Sequence, residues 1–406
     1  MKTENGNLKK YKLGELMEVT RGMSLCGDYY ATEGNLMRLT LGNFDYRNNC
    51  FKDDKSKDNL YFSGDVKTEF ILNKGDIITP LTEQAIGLLG STAKVPCSGK
   101  YIQSQDVGLI KCNDKLNPDF AYYLIPSKLV RTQLSAAAQQ TKIRHTSPDK
   151  IKNCTVWIPD YSIQEKIGKL LSALDDKIAL NRRMNAKLEQ MVKHLYDHWF
   201  VQFDFPNADG KPYKASGGKM EYNEVLKRDI PAGWEVVQIQ EILDNYPSTK
   251  RYMTNEYLSE GKYPIIDQDS TKFIAGFINE NCNLLTRFPA IVFGDHSTCL
   301  KFVNCSFARG ADGTQILYSK DKRVKPYYFF WSLKNLTIPN PGYSRHFKYL
   351  KELPIIIPSL EIANAFQEIV KPFYEKKSKC DVETQKLTAL RDRLLPLLMN
   401  GQVEVR

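Results

Sequence analysis

Residues 170–200 read LLSALDDKIALNRRMNAKLEQMVKHLYDHWF, and the placing of their apolar side chains decides the fold. On a seven-residue frame Ile167, Leu174, Asn181, Leu188 and Leu195 fall at d, and Leu171, Ile178, Asn185, Val192 and Trp199 at a. Eight of these ten are apolar, which is the seam of a coiled coil on an otherwise charged helix. A surface helix with one buried stripe would show a similar pattern. From 167 to 199 such a rod spans about 50 Å at ~1.5 Å per residue.

The stretch recurs. Pro159 aligns with Pro358, Ile163 with Ile362, Leu188 with Leu387 and Leu195 with Leu394, each 199 residues apart and without a gap. Upstream the match is looser but keeps its order: KLGELMEV resembles QIQEILDN, KGDIITP resembles FPAIVFGD, and NPDFAYYLIPS resembles KPYYFFWSLKN. The chain is a duplicated unit, and duplication permits a pseudo-two-fold axis within one polypeptide. The second helix carries Phe366, Phe373, Cys380, Leu387 and Leu394 at d and Val370, Lys377, Thr384, Arg391 and Leu398 at a, a poorer seam. Pro372 predicts a kink or a fresh start there. An antiparallel pairing of the two helices lets the duplicated units sit at opposite ends of one rod. Superposing the midpoints sets Asn181 opposite Thr384 and Asn185 opposite Cys380, polar layers that fix register at some cost in stability. Replacing both asparagines with Leu should raise the melting temperature while blurring register.

Ahead of each helix lie about 150 residues of short apolar runs, such as DIITP and DVGLIKC in the first unit and AIVFGD and GTQILYS in the second, punctuated by Gly, Pro, Asn and Asp. The fold class is therefore α+β: two mixed, strand-rich domains separated by two long helices that form an antiparallel coiled coil. The boundaries are 1–155 for the first domain, 156–204 for the first helix region, 205–229 for a linker, 230–355 for the second domain and 356–406 for the second helix region. The linker reading rests on the Gly, Pro, Ser and Lys content of that stretch.

The net charge of +10 points to a polyanionic partner, nucleic acid first. Nine cysteines without a C-x-x-C pair indicate neither a disulfide framework nor a zinc knuckle, and a reducing cytoplasm is the simplest setting. The N-terminus has no apolar leader, and no run approaches ~18 apolar residues. A G-x-x-x-x-G-K phosphate loop is missing, as is an acidic pair with nuclease spacing. NPDF at 117–120 lacks the second proline of an amino-methyltransferase motif and reads as a helix start with Pro118 in the first turn. FGDHSTCLK brings Asp295, His296 and Cys299 together, but a turn after a buried strand explains them more simply than a nucleophile with its base.

Several segments resemble the specificity subunits of type I restriction-modification systems. They are IPDYSIQEKIGKLLSALDDKIALNRRMNAKLEQMVKHLYDHWFVQFDFP, GKPYKASGGKM with LKRDIPAGWEV, FGDHSTCLKFVN with FARGADGTQIL, GYSRHFKYLKELPIIIPSLE, and LRDRLLPLLMNGQVEV. The resemblance covers nearly the whole chain and implies two target-recognition domains, each reading one half of a split DNA sequence, on a helical spacer. A rod of this length suits domains facing major grooves about one turn, about 34 Å, apart. The implied partners are double-stranded DNA, two modification (methyltransferase) subunits and, through them, restriction/translocase subunits. This chain is then non-catalytic and holds no cofactor, with S-adenosylmethionine, ATP and magnesium in the partner subunits. Two other readings are a DNA-binding subunit of a related methyltransferase-nuclease system and a coiled-coil scaffold without sequence readout.

TKIRHTSP and GYSRHF occupy similar places near the ends of the two domains, so Arg144, His145, Arg345 and His346 form a repeated basic pair suited to phosphate or guanine. Lys142 and Tyr343 flank them. His296 and Lys301 belong to a DNA-facing loop, whereas Asp312 is structural. Lys250, Arg251, Lys272, Arg21 and Arg38 complete the candidate phosphate contacts. Leu170, Leu180, Tyr196 and Phe200, beyond the a/d seam, are the candidate docking residues for the modification subunits.

Overall fold

The computed structural model describes all residues except 1–7, 47, 55, 84–86, 138–143, 245–248, 282, 340–344, 404 and 406, with Arg144 described by its backbone. The chain forms two compact units, one of residues 1–180 with 383–406 and the other of residues 181–382. Each combines a strand-rich part with segments of both long helices.

In the first unit, strand Lys9–Lys12 pairs antiparallel with Thr155–Ile158, so the start of the strand-rich part is closed onto its end. One sheet has the order Ala93–Lys94, Ile77–Pro80, Val107–Cys112, Met17–Arg21, all antiparallel. Its central strands are buried on both faces, as their unbroken apolar runs require. A second sheet runs Tyr101–Ile102, Met37–Arg38, Tyr61–Phe62, Tyr30–Ala31, the first pair parallel. Helix α1 (Pro118–Leu124) starts where Asn117 Oδ1 accepts from the Phe120 amide at 3.1 Å, with Pro118 in the first turn. Helices α2 (Lys128–Ala137) and α3 (Pro148–Lys152) follow, and then the long α4 (Tyr161–Tyr196). Ile167 and Leu171 of α4 join Leu13, Phe120, Val156, Leu398 and Met399 in one core.

In the second unit, strand Glu235–Gln238 pairs antiparallel with Pro354–Ile357, repeating the closure of the first. Leu300–Val303, Ala290–Gly294 and Thr314–Leu317 form an antiparallel sheet, and Arg251–Tyr252, Ala308–Gly310, Tyr263–Ile266 and Gly276–Ile278 form a mixed one. The helices are α5 (Ile239–Ile242), α6 (Pro326–Lys334), α7 (Phe347–Glu352) and the long α8 (Leu360–Met399). The stretch 205–229 is not a loose linker. Met220–Asn223 pairs with Arg228–Pro231, and Phe205 stacks on Tyr213 and Trp234 at 4.6 and 5.0 Å. Composition counted its Gly and Lys, whereas the few aromatics decide the packing.

The seven-residue frame holds. Every a and d position named above is buried or half-buried, in both helices. In the second unit α4 and α8 are antiparallel: Asn185 Nδ2 donates to Asp381 Oδ1 at 2.6 Å, and one turn further along α4 Glu189 meets Lys377 at 3.8 Å, one turn back along α8. The partner of Asn185 is thus Asp381, one residue from the expected Cys380, which is buried. Asn181 is also buried. Lys377 and Arg391, the misfits of the second seam, both find carboxylates, Arg391 lying 2.8 Å from Asp175 in the first unit. Pro372 does not interrupt α8. It is exposed, so the carbonyl it leaves unpaired one turn earlier can turn to water.

Candidate nucleic-acid interface

Hydrogen bonds within each unit put the two strand-rich parts into register. The Leu81 amide donates to the Asp106 carbonyl at 2.8 Å, and the Asp295 amide donates to the Gly313 carbonyl at 2.7 Å. The chain returning toward the helix then meets the same strand end in both: Thr146 N donates to the Leu81 carbonyl at 2.9 Å, and His346 N to the Asp295 carbonyl at 2.8 Å. The rim where these strands end is where most of the candidate residues gather.

In the first unit, Arg21 ends a strand opposite Gly108 and is exposed. His145 lies on the short strand Arg144–His145, paired with Thr82–Glu83, and is exposed. Its Nδ1 is 3.4 Å from Thr82 Oγ1, which donates to Asp106 Oδ1 at 2.9 Å. Arg38 is buried. Its guanidinium donates to the Asn59 carbonyl and stacks 4.0 Å from the Tyr30 ring centroid. One edge of Arg38 lines a polar depression of about 220 Å³ with Thr40, Asp54, Ser104 and Asp106. Burial pushes the Asp54 carboxyl up, but hydrogen bonds from Ser56 and Thr40 outweigh it and hold it below the usual carboxylate range. Lys142 lies outside the described residues.

In the second unit, Gln268 organises the rim. Its Oε1 accepts from the His296 amide at 3.0 Å and its Nε2 donates to the Asp312 carbonyl at 2.7 Å. His296 and Arg345 are exposed, and Arg251 lies 3.7 Å from Asp312. Lys250 is paired with Glu256 at 3.0 Å, and Lys272 is exposed. Tyr343 lies outside the described residues.

Two candidates change role. Lys301 is buried, with Nζ donating to the Lys272 carbonyl at 2.7 Å and lying 3.7 Å from Asp267, and burial lowers its pKa. Its ammonium is spent on the fold. His346 is also buried, with Nδ1 3.0 Å from the Asp295 carbonyl, while Asp295 Oδ1 accepts from the Phe347 amide. The two histidines of the repeated basic pair are therefore not equivalent: His145 faces solvent and His346 closes the chain onto α7. The shift is one residue: His346 takes the place of Thr146, and Arg345 that of His145.

Among the docking candidates, Leu180 is exposed and Leu170 half-buried, but Tyr196 and Phe200 are buried in the second unit's core against Phe366 and Tyr328. Both are corrected to core residues. Gln268 and Asp106 belong to no motif, and their only signal in the sequence is a turn between two apolar runs.

Residues 5–190 match the family model described as the type I restriction modification DNA specificity domain. The MjaIX specificity subunit of Methanocaldococcus jannaschii is 23% identical over 317 residues, 72% of this chain and 70% of the relative. The HindI specificity subunit of Haemophilus influenzae is 24% identical over 379 residues, 75% of this chain and 81% of the relative. The crystal structure of a type I system S subunit from M. genitalium shares the fold, with a TM-score of 0.64 at 19% identity over 98% of this chain and 97% of the other. The chain is thus similar to the specificity subunits of type I restriction-modification systems, through the family model over residues 5–190 and through these relatives over most of its length.

Proposed function

We propose that each unit reads one half of a split DNA target through its strand-end rim, and that the two long helices set the spacing between the half-sites and dock two modification subunits. The observation that carries this reading is the convergence, in two compact units, of cationic and amide side chains on equivalent rims: Arg21, Arg38 and His145 in one, Arg251, Gln268, His296 and Arg345 in the other. Phosphate contacts from exposed Arg supply affinity, and base-edge contacts supply sequence. At ~1.5 Å per residue the 36-residue α4 is about 54 Å long, enough to bridge more than one turn of duplex. Methyl transfer, ATP-driven translocation and cleavage then belong to the modification and restriction subunits, which bring S-adenosylmethionine, ATP and magnesium. This chain acts in the cytoplasm as their non-catalytic guide.

Methylome sequencing of a host with and without this chain tests the reading. A bipartite motif that disappears with the chain supports it, and an unchanged methylome refutes it. Within the assembled complex, Arg345→Ala should weaken DNA binding several-fold and flatten its salt dependence while leaving the melting temperature in place. Unfolding of this variant would make Arg345 a structural residue.

A further inference from the structure

One tight turn takes the same place in both units. In the first it is residues 104–107, closed by Val107 N donating to the Ser104 carbonyl at 3.0 Å. In the second it is residues 311–314, closed by Thr314 Oγ1 donating to the Ala311 carbonyl at 2.9 Å, with Gly313 at φ 82°. The flanks agree: Ile102 pairs with Arg38 as Arg309 pairs with Ile266, and Gly108 pairs with Thr79 as Gln315 pairs with Phe293. Position 105 thus corresponds to position 312, and each turn passes from one sheet of its unit to the other.

The turn is braced while its tip is not. Ser104 Oγ donates to the Leu39 carbonyl at 2.6 Å, and Gln103 Nε2 to the carbonyls of Thr20 and Val107 at 2.8 and 3.0 Å. Gln105 is exposed at the edge of the polar depression beside Arg38, and its amide makes no hydrogen bond among the described residues. In the second unit the Asp312 carboxylate is 75% exposed, and its contact with Arg251 at 3.7 Å is a surface pair of little strength. Its carbonyl, by contrast, is fixed by Gln268.

We propose that Gln105 in the first unit and Asp312 in the second each contact a base edge in the major groove and set one position of their half-site. This rests on the DNA-reading function proposed above. A side chain held on a rigid turn loses little freedom on binding, so an unspent hydrogen-bonding group there discriminates well. The two tips also differ in chemistry. Gln offers a donor and an acceptor that match adenine N6 and N7, whereas a carboxylate only accepts, which matches the cytosine amino group. Equivalent positions with unlike chemistry let two similar units read unlike half-sites.

The test uses the full chain co-expressed with its modification subunits and reads the methylated motif. Gln105→Ala should relax one position of one half-site, with discrimination there falling about tenfold or more, while the other half-site and the spacer stay unchanged. Asp312→Asn should do the same in the other half-site. Gln105→Glu should move the preferred base at that position. An unchanged motif in all three, or a uniform loss of methylation at every site in both Gln105 variants, overturns the proposal. Absence of any bipartite motif with the unaltered chain would instead refute the DNA-reading function itself.

Discussion

The 199-residue offset that aligns the two halves puts Asp175 and Arg391 of the first unit at the same positions as Tyr374 and Val192 of the second. In the first unit these residues form an ion pair at 2.8 Å, with Arg391 only 12% exposed and Tyr123 Oη donating to the other carboxylate oxygen at 2.8 Å. In the second unit the same positions are uncharged and pack on the aromatic core. The neighbouring layer differs as well. Ile167, Leu395, Leu398 and Met399 in the first unit correspond to Phe366, Tyr196, Trp199 and Phe200 in the second, whose rings lie 5.0 to 6.4 Å from the Phe366 ring. In these layers one seam is therefore filled by aliphatic side chains and a half-buried charge pair, the other by aromatics. Both keep the helices antiparallel, so the frame tolerates either filling. What differs is how each seam responds to damage: a charge left alone in a dry seam is costly, whereas an apolar filling fails through the cavity it leaves.

The largest effect should come from the aromatic side. Phe366→Ala should cost about 4 kcal/mol, against about 1 kcal/mol for Ile167→Val at the matching position, both read from urea unfolding. Equal losses would mean that the second unit collapses around the gap and leaves no cavity. Next comes the charge pair. Arg391→Val alone should cost about 3 kcal/mol, because Asp175 is left partly buried without its cation. Pairing it with Asp175→Tyr, which copies the second unit, should recover most of that loss, less about 1 kcal/mol if the Tyr123 hydroxyl stays unpaired. A single variant as stable as the parent would show that the pair is dispensable.

The smallest effect belongs to Glu189 of the second unit, held by Lys334 at 2.5 Å and Lys377 at 3.8 Å. Burial pushes this carboxyl up, but hydrogen bonding and attraction from the two ammonium groups outweigh it, and its pKa lies below the usual value. Its stabilisation is therefore present above the unfolded pKa, near 4.5, and is lost as pH falls through the lower folded value. Glu189→Gln should cost a few tenths of a kcal/mol at pH 7, since the group is half-exposed and screened. Variant and parent should converge in melting temperature once pH has fallen below the folded value, and a gap that persists there would place the effect in packing.

Period and duplication were legible in the chain itself. Apolar side chains spaced for a seven-residue seam, repeated at a constant offset, determined two long helices, their antiparallel sense and the α+β halves, because helical spacing and strand alternation are local properties of backbone geometry. Four of the candidate rim residues, Arg21, His145, His296 and Arg345, are exposed, as polar groups at strand ends and turns are expected to be. Their partners were not legible. That Lys301 and His346 turn inward, that Tyr196 and Phe200 belong to a core, and that Asn185 faces Asp381 all depend on contacts between residues far apart in the chain. The same holds for the turn at Gln105, which is set beside Arg38 by sheet pairing across more than sixty residues. Spacing along the chain determines which face a side chain occupies. Only tertiary packing decided what that face meets, because burial, charge pairing and exposure are properties of the neighbours that folding brings together.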